Sequence, residues 1–172
     1  LNHFNKVYTI SSKDEKYFKQ YNKDITTILP FHGNNDIKSL TGKGNFILYH
    51  GNFNVNENLN AGLYLINEIF CDLKYTLVLA GQDAYKKLYC HIKTKNIQII
   101  NNPDMEEMKS LIKTSQINIL PTFQSTGVKL KLIESLFNGR HCLVNLPMIK
   151  PTLQLSKLCS ICNSANEFKK QI

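Results

Sequence analysis

Arginine is nearly missing from this chain of 172 residues: Arg140 stands alone among 21 basic side chains, and the rest are lysine. Proteins that read nucleic-acid sequence lean on the guanidinium fork for bidentate contacts to base edges, so a single arginine speaks against that class. A tandem basic-aromatic signature of the RNA-recognition kind is absent as well. No apolar run reaches the roughly 18–20 residues that a membrane-spanning helix needs. The start, Leu1 to Thr9, lacks both the basic and the apolar region of a signal peptide, and it lacks an initiator Met. The chain is therefore expected to be a processed product or a piece of something longer. Cysteines number five, an odd count in a chain that is not small, which fits a disulfide framework poorly. Cys159 and Cys162 form one CxxC. A zinc site wants a second pair, and the nearest residues, His141 and Cys142, are adjacent and rarely point at one metal. Reduced thiols near the core are the expectation, with no metal and no cofactor. Neither GxGxxG nor GxxxxGK[ST] occurs, which excludes a P-loop NTPase and leaves an ordinary dinucleotide site little to stand on. No Ser–His–Asp or Cys–His order can be read.

What is present is enough apolar content for a core, 42% with 10% aromatic, so the chain is not disordered. The formal charge of +8 suits an anionic small ligand, a nucleic acid or an anionic membrane face. Charge alone leaves all three open. The lysines are spread over loops and helix exteriors, the usual solvated pattern.

The periodicity alternates. Short β-rich apolar runs at 6–10, 24–29, 46–50, 75–80, 97–100, 117–120 and 141–144 are separated by helical patterns at 13–21, 57–70, 83–92, 103–114 and 129–138. That alternation predicts an α/β fold, a Rossmann-like doubly wound parallel sheet. Ser11 and Ser12 are candidate caps for the first helix, Pro103 reads as the first residue of the fourth, and Gly139 closes the fifth. Leu59, Leu63, Ile66 and Phe70 mark one face of the second helix. Ser164 and Glu167 have capping-box spacing and should open a last helix. Residues 32–45, with Gly33, Gly42 and Gly44, read as a loop or linker.

In such sheets ligands bind outside the carboxyl ends of the strands, so the segments that follow each strand matter most. Gly127 lets backbone approach a ligand, and the helix that follows offers free N–H groups to phosphate. Lys129 and Lys131 can add point charges, and Glu134, a little over one turn on, can accept bonds from sugar hydroxyls. A solvated Lys-Leu-Lys face with a surface glutamate is the competing reading. Gly51-Asn52 can likewise approach a phosphate. Asn101 and Asn102 can read a nucleobase edge, although such a pair often just ends a strand. His50 and His141 sit on apolar strands, where a satisfied, part-buried histidine is commoner than a catalytic one.

Four segments in order carry a resemblance: Tyr49 to Asn58 (YHGNFNVNEN), Leu77 to Gly81 (LVLAG), Ile119 to Phe123 (ILPTF), and Gly127 to Gly139 (GVKLKLIESLFNG) with Cys142-Leu-Val after it. This order resembles the C-terminal, nucleotide-sugar-binding domain of family 4, or group 1, glycosyltransferases, which have the GT-B fold. The likeness covers about residues 24–172, and residues 1–23 resemble a remnant of the N-terminal acceptor domain. It implies a retaining transferase of hexosyltransferase type that moves a sugar from a nucleoside-diphosphate donor to a glycan or lipid-linked acceptor, as in polysaccharide biosynthesis. The acceptor would be held through the missing N-terminal domain, and the fragment alone would be inactive. By position, Gly51 and Asn52 would approach the diphosphate. Thr126, Gly127, Val128 and Lys129 would meet the distal phosphate and sugar, with Lys131 in support. Glu134 would bind the ribose, and Asn101 and Asn102 would lie by the base. The resemblance implies no catalytic nucleophile, no metal and no nucleic-acid partner. It implies a cytoplasmic protein with peripheral contact at the inner membrane face. Two departures stand out: Thr126 replaces the first glutamate of the family's paired-glutamate motif, and residues 52–60 carry no cation where many members have Arg and Lys. A non-catalytic binding module on the same fold, and a basic surface module, are the alternatives.

Overall fold

The computed structural model describes residues 4–28, 31–124 and 127–172. The chain opens with a small βαβ unit: β1 (Val7–Thr9), α1 (Ser12–Phe18) and β2 (Ile25–Thr27). Ser11 is extended and its Oγ accepts the Asp14 N–H at 3.1 Å, which satisfies one orphan donor of α1. The strand expected at 24–29 pairs in parallel with β1, Val7 opposite Ile25.

The main body is one sheet of six strands: β3 (Ile47–His50), β4 (Leu77–Gly81), β5 (Ile97–Asn101), β6 (Ile117–Leu120), β7 (His141–Val144) and β8 (Ser160–Ile161). Their order is β5-β4-β3-β6-β7-β8, and every pairing is parallel. From β3 the chain winds outward to β5, returns to the other side of β3 as β6, and winds on to β8. The reversal leaves a switch point between β3 and β6, where the loops after the two strands part. β3, β4 and β6 are buried at every residue, as expected of central parallel strands covered on both faces.

Side-chain alternation divides the core in two. Ile47, Tyr49, Leu77, Leu79 and Ile119 join Phe53, Leu65, Phe70 and Phe168 on one face. Leu48, Val78 and Ala80 meet Ile112 on the other, with Met108 and Leu111 alongside. Helices that contribute to this cover include α2 (Asn56–Tyr64), α4 (Met105–Thr114) and α7 (Ala165–Gln171). Among the described residues the remaining α-helices are α3 (Ala84–Leu88), α5 (Leu130–Asn138) and α6 (Leu146–Ile149).

Two local expectations need correction, at α2 and at Pro103, and two details go beyond the pattern. α2 does not run on as one α-helix to Phe70: Leu65–Ile69 is a π-turn, closed by the Phe70 N–H on the Leu65 carbonyl at 2.8 Å. Of the four residues expected on one face, Ile66 and Phe70 are buried and Leu59 and Leu63 only partly so, while Ala61, Leu65 and Ile69 are buried as well. Pro103 lies before α4 rather than at its first position, because Asp104 takes the cap and its carboxylate accepts the Glu107 N–H at 2.8 Å. Gly139 closes α5 as expected, in an extended conformation (φ −84°). Space decides that position, since a Cβ there would lie 2.3 Å from Asn118 Nδ2. Between β7 and β8 the chain forms α6 and a 3-10 run, Lys150–Leu158, where the pattern assigned nothing.

The last expected cap is present: Ser164 Oγ accepts the Glu167 N–H at 3.2 Å, and the Glu167 carboxylate reaches back to the Asn163 N–H at 2.8 Å. Among the described residues no helix is long and apolar enough to cross a membrane.

Candidate ligand cleft at the carboxyl edge of the sheet

The carboxyl ends of β3 and β4 open into a cleft of about 420 Å³. Its floor is His50, Gly51, Gly81 and Gln82. One wall is the start of α4, with Pro103, Asp104, Met105, Met108 and Lys109, and Glu134 of α5 also lines the cleft. A second hollow of about 380 Å³ is lined by Gln82, Asp83, Asn102 and Pro103.

The floor is built by a backbone contact. Gly81 has φ +149°, and a Cβ on it would sit 1.8 Å from the Gly51 carbonyl oxygen. Only glycine lets the ends of β3 and β4 close so tightly. The Gly51 N–H donates to the Ala80 carbonyl at 3.1 Å, and the Asn102 N–H to the Gly81 carbonyl at 2.9 Å, so the three strand ends hang together.

The Glu134 carboxylate is oriented on both oxygens. Asn34 Nδ2 donates to one at 2.8 Å and Asn138 Nδ2 to the other at 2.9 Å. Asn34 lies in the linker, so that segment fastens a side chain of the cleft. Asn138 also reaches Asn34 Oδ1 at 3.0 Å. Each carboxylate oxygen keeps lone pairs for a ligand hydroxyl.

Gly51 and Glu134, chosen from sequence as ligand residues, thus share one cleft. Asn52 is occupied locally instead. Its Oδ1 accepts the Asn54 N–H at 2.9 Å, closing a turn, and its carbonyl accepts Asn58 Nδ2 at 2.9 Å. Asn101 and Asn102 spend their amide oxygens on backbone, on the Tyr85 N–H at 2.9 Å and the Asp83 N–H at 2.8 Å. Asn102 has φ +53° and lines the second hollow. Thr126 lies outside the described residues. Gly127 has φ +70° with open space where a Cβ would be, and Val128 is half-buried.

Lys129 and Lys131, at the start of α5, are both engaged. Lys129 Nζ pairs with Glu57 Oε1 at 2.7 Å across the switch point, with the two side chains only 13% and 20% exposed. Thr122 Oγ1 donates to the same carboxylate oxygen. Burial works to raise the Glu57 carboxyl, but the bonds from Lys129 and Thr122 and the charges of Lys129 and Lys131 outweigh it and hold the group below its usual value. Thr122 is itself locked: its N–H donates to Asn145 Oδ1 at 3.0 Å, and Asn145 Nδ2 donates to its carbonyl at 2.6 Å. Lys131 Nζ bonds Asn58 Oδ1 at 2.6 Å and the His50 carbonyl at 3.1 Å, and lies 4.8 Å from the centre of the Tyr49 ring. Burial pushes its ammonium down to about 8.

His50 is buried, with Nε2 3.3 Å from Ser135 Oγ. Burial first, and the Lys131 charge second, push its imidazole down to about 3, so the ring is neutral at ordinary pH. This is the satisfied core histidine that its apolar strand suggests. His141 is exposed. The five cysteines are free thiols, and among the described residues no cluster of three or more His, Cys, Asp or Glu could hold a metal.

Sequence reasoning missed Glu57, Asn58, Thr122 and Lys109. Glu57 had one visible signal, an acid in the first turn of a helix just past the first central strand. Its partner is 72 residues away, and nothing local points to it.

No protein-family model matches the chain, and no curated protein matches it either. Solved structures do. TarM aligns over 99% of this chain with a TM-score of 0.69 at 10% identity. A glycosyltransferase from Rickettsia africae ESF-5 aligns over 96% with 0.67 at 11%. Sucrose-phosphate synthase from Thermosynechococcus elongatus aligns over 95% with 0.68 at 11%. The chain spans 36%, 52% and 47% of those three chains respectively. At such identity the likeness speaks for the fold: this chain has the Rossmann-like, parallel-sheet architecture of one half of a GT-B glycosyltransferase.

Proposed function

We propose that this chain is the donor-binding half of a retaining glycosyltransferase, with a nucleoside-diphosphate sugar as its substrate. The observation that carries the reading is Glu134, an oriented carboxylate on the wall of a cleft at the carboxyl ends of the parallel strands. A carboxylate there accepts bonds from the paired hydroxyls of a ribose. The base would lie toward Pro103 and the second hollow, and the diphosphate toward Gly51 and the start of α5. Catalysis would be electrostatic, with backbone N–H groups and lysine stabilising the leaving diphosphate as the glycosidic bond breaks. The acceptor glycan or lipid would be held by a second domain, so the 172 residues alone would bind donor weakly and turn over little.

Calorimetric titration of UDP and GDP into the chain and into Glu134→Ala tests this. Hydrogen bonds to a charged group are worth about 1.5–3 kcal/mol, so the variant should bind the preferred nucleotide roughly tenfold to a hundredfold more weakly. Equal affinity in both proteins, or no binding of any nucleotide, would refute the assignment. A non-catalytic binding module on the same fold is favoured by one observation, the Glu57–Lys129 pair on the phosphate side of the site. Assaying the longer protein against a panel of nucleotide sugars separates the two readings.

A further inference from the structure

The carboxylate of Glu57 lies between the loop after β3 and the loop after β6, the two segments that flank the switch point. It is held from several directions at once. Lys129 Nζ lies 2.7 Å away, Thr122 Oγ1 donates to it, and Lys131 adds its charge. Its place in the first turn of α2 sets it at the positive end of that helix. Thr122 cannot drift, because Asn145 brackets its N–H and its carbonyl. Every one of these features that would receive an anionic ligand there already serves an anion supplied by the chain.

We propose that Glu57 is a specificity-determining residue, a built-in counter-anion that competes with the diphosphate for Lys129. This rests on the donor-binding reading. A diphosphate entering beside α5 must take Lys129 from Glu57 and then lie against a carboxylate of like charge. Binding is held down for ligands with two or more negative charges at that end. Lys129 becomes available only when the diphosphate displaces the pair, so Glu57 tunes selectivity for the phosphate portion and leaves the nucleoside portion alone.

The test uses the 172-residue chain with inorganic pyrophosphate, UDP and GDP, and the matching free nucleosides. Glu57→Gln keeps the shape and the acceptor but removes the charge. It should tighten pyrophosphate and the preferred nucleoside diphosphate by about tenfold and leave the free nucleoside unchanged, a split that a merely structural role would not produce. Adding Lys129→Met to Glu57→Gln should erase the gain. Pyrophosphate affinity that is unchanged, weaker or absent in Glu57→Gln overturns the proposal. So does a gain that survives Lys129→Met. Should Glu57→Gln melt early, Glu57→Asp draws the carboxylate back from Lys129 and should still give a measurable gain, smaller than that of Glu57→Gln; no gain overturns the proposal equally. Failure of the donor-binding reading looks different: nucleoside diphosphates would bind no better than pyrophosphate in either protein, and Glu134→Ala would change nothing, while the pyrophosphate series would still report on Glu57.

Discussion

Replacing His50 should change how stability responds to acid. The imidazole is buried and titrates at about 3 instead of its ordinary 6.5, because the charged form would lose hydration and face Lys131. Between those values the unfolded chain binds a proton that the folded chain refuses. Stability therefore falls as pH falls through that window, by about 1.4 kcal/mol per pH unit. At pH 5, about 1.5 units below the unfolded value, the wild type has lost about 2 kcal/mol through this one group. His50→Gln cannot lose it. The variant will carry a cost of its own, about 1 kcal/mol from the disturbed Ser135 contact, but that cost is the same at both pH values. Urea unfolding at pH 7 and pH 5 reads the difference, and the carboxylates that also titrate cancel between the two proteins. The wild type should drop about 2 kcal/mol further than the variant. Parallel pH dependence would refute the claim that His50 is buried and neutral.

Lys131→Met removes the second cause of that depression. The His50 titration followed by NMR should move upward yet stay well below 6.5, since burial is the larger cause; no movement would mean that Lys131 does not face the ring. Gly81→Ala puts a Cβ against the Gly51 carbonyl oxygen, and thermal or urea unfolding should show a loss of about 3 kcal/mol or more, or no folded protein.

The fold was largely legible because long, regular features encode it. Continuous apolar runs such as Leu77 to Ala80 read as central parallel strands, and short-range chemistry such as Ser164 with Glu167 marks helix boundaries. What escaped notice depends on distance or on small size. β8 is two residues long, and the 3-10 run before it has no periodicity that a helix or strand pattern would catch. The π-turn after Tyr64 is a single wider turn, which spacing along the sequence does not register. At the site, glycines and a carboxylate after the strands were readable as types. The fate of Asn52, Asn101 and Asn102 was not: an asparagine can face a ligand or fasten a turn, and only the folded backbone decides. The pairing of Glu57 with Lys129 joins two loops that only the reversal of strand order brings together.

Arg140 works at the far end of α4. Its Nη1 gathers the carbonyls of Lys113, Thr114 and Ser115 at 2.9, 2.7 and 2.9 Å, clasping the tail of α4 while the cleft lies at that helix's head. The chain's one guanidinium is a rivet in the scaffold, spent far from the strand ends. An anion held by this chain's own residues would be met by ammonium groups, hydroxyls, amides and peptide hydrogens rather than by a planar guanidinium fork. The orientation of such a guest would then fall to the shape of the strand ends and to the Glu134 carboxylate beside them.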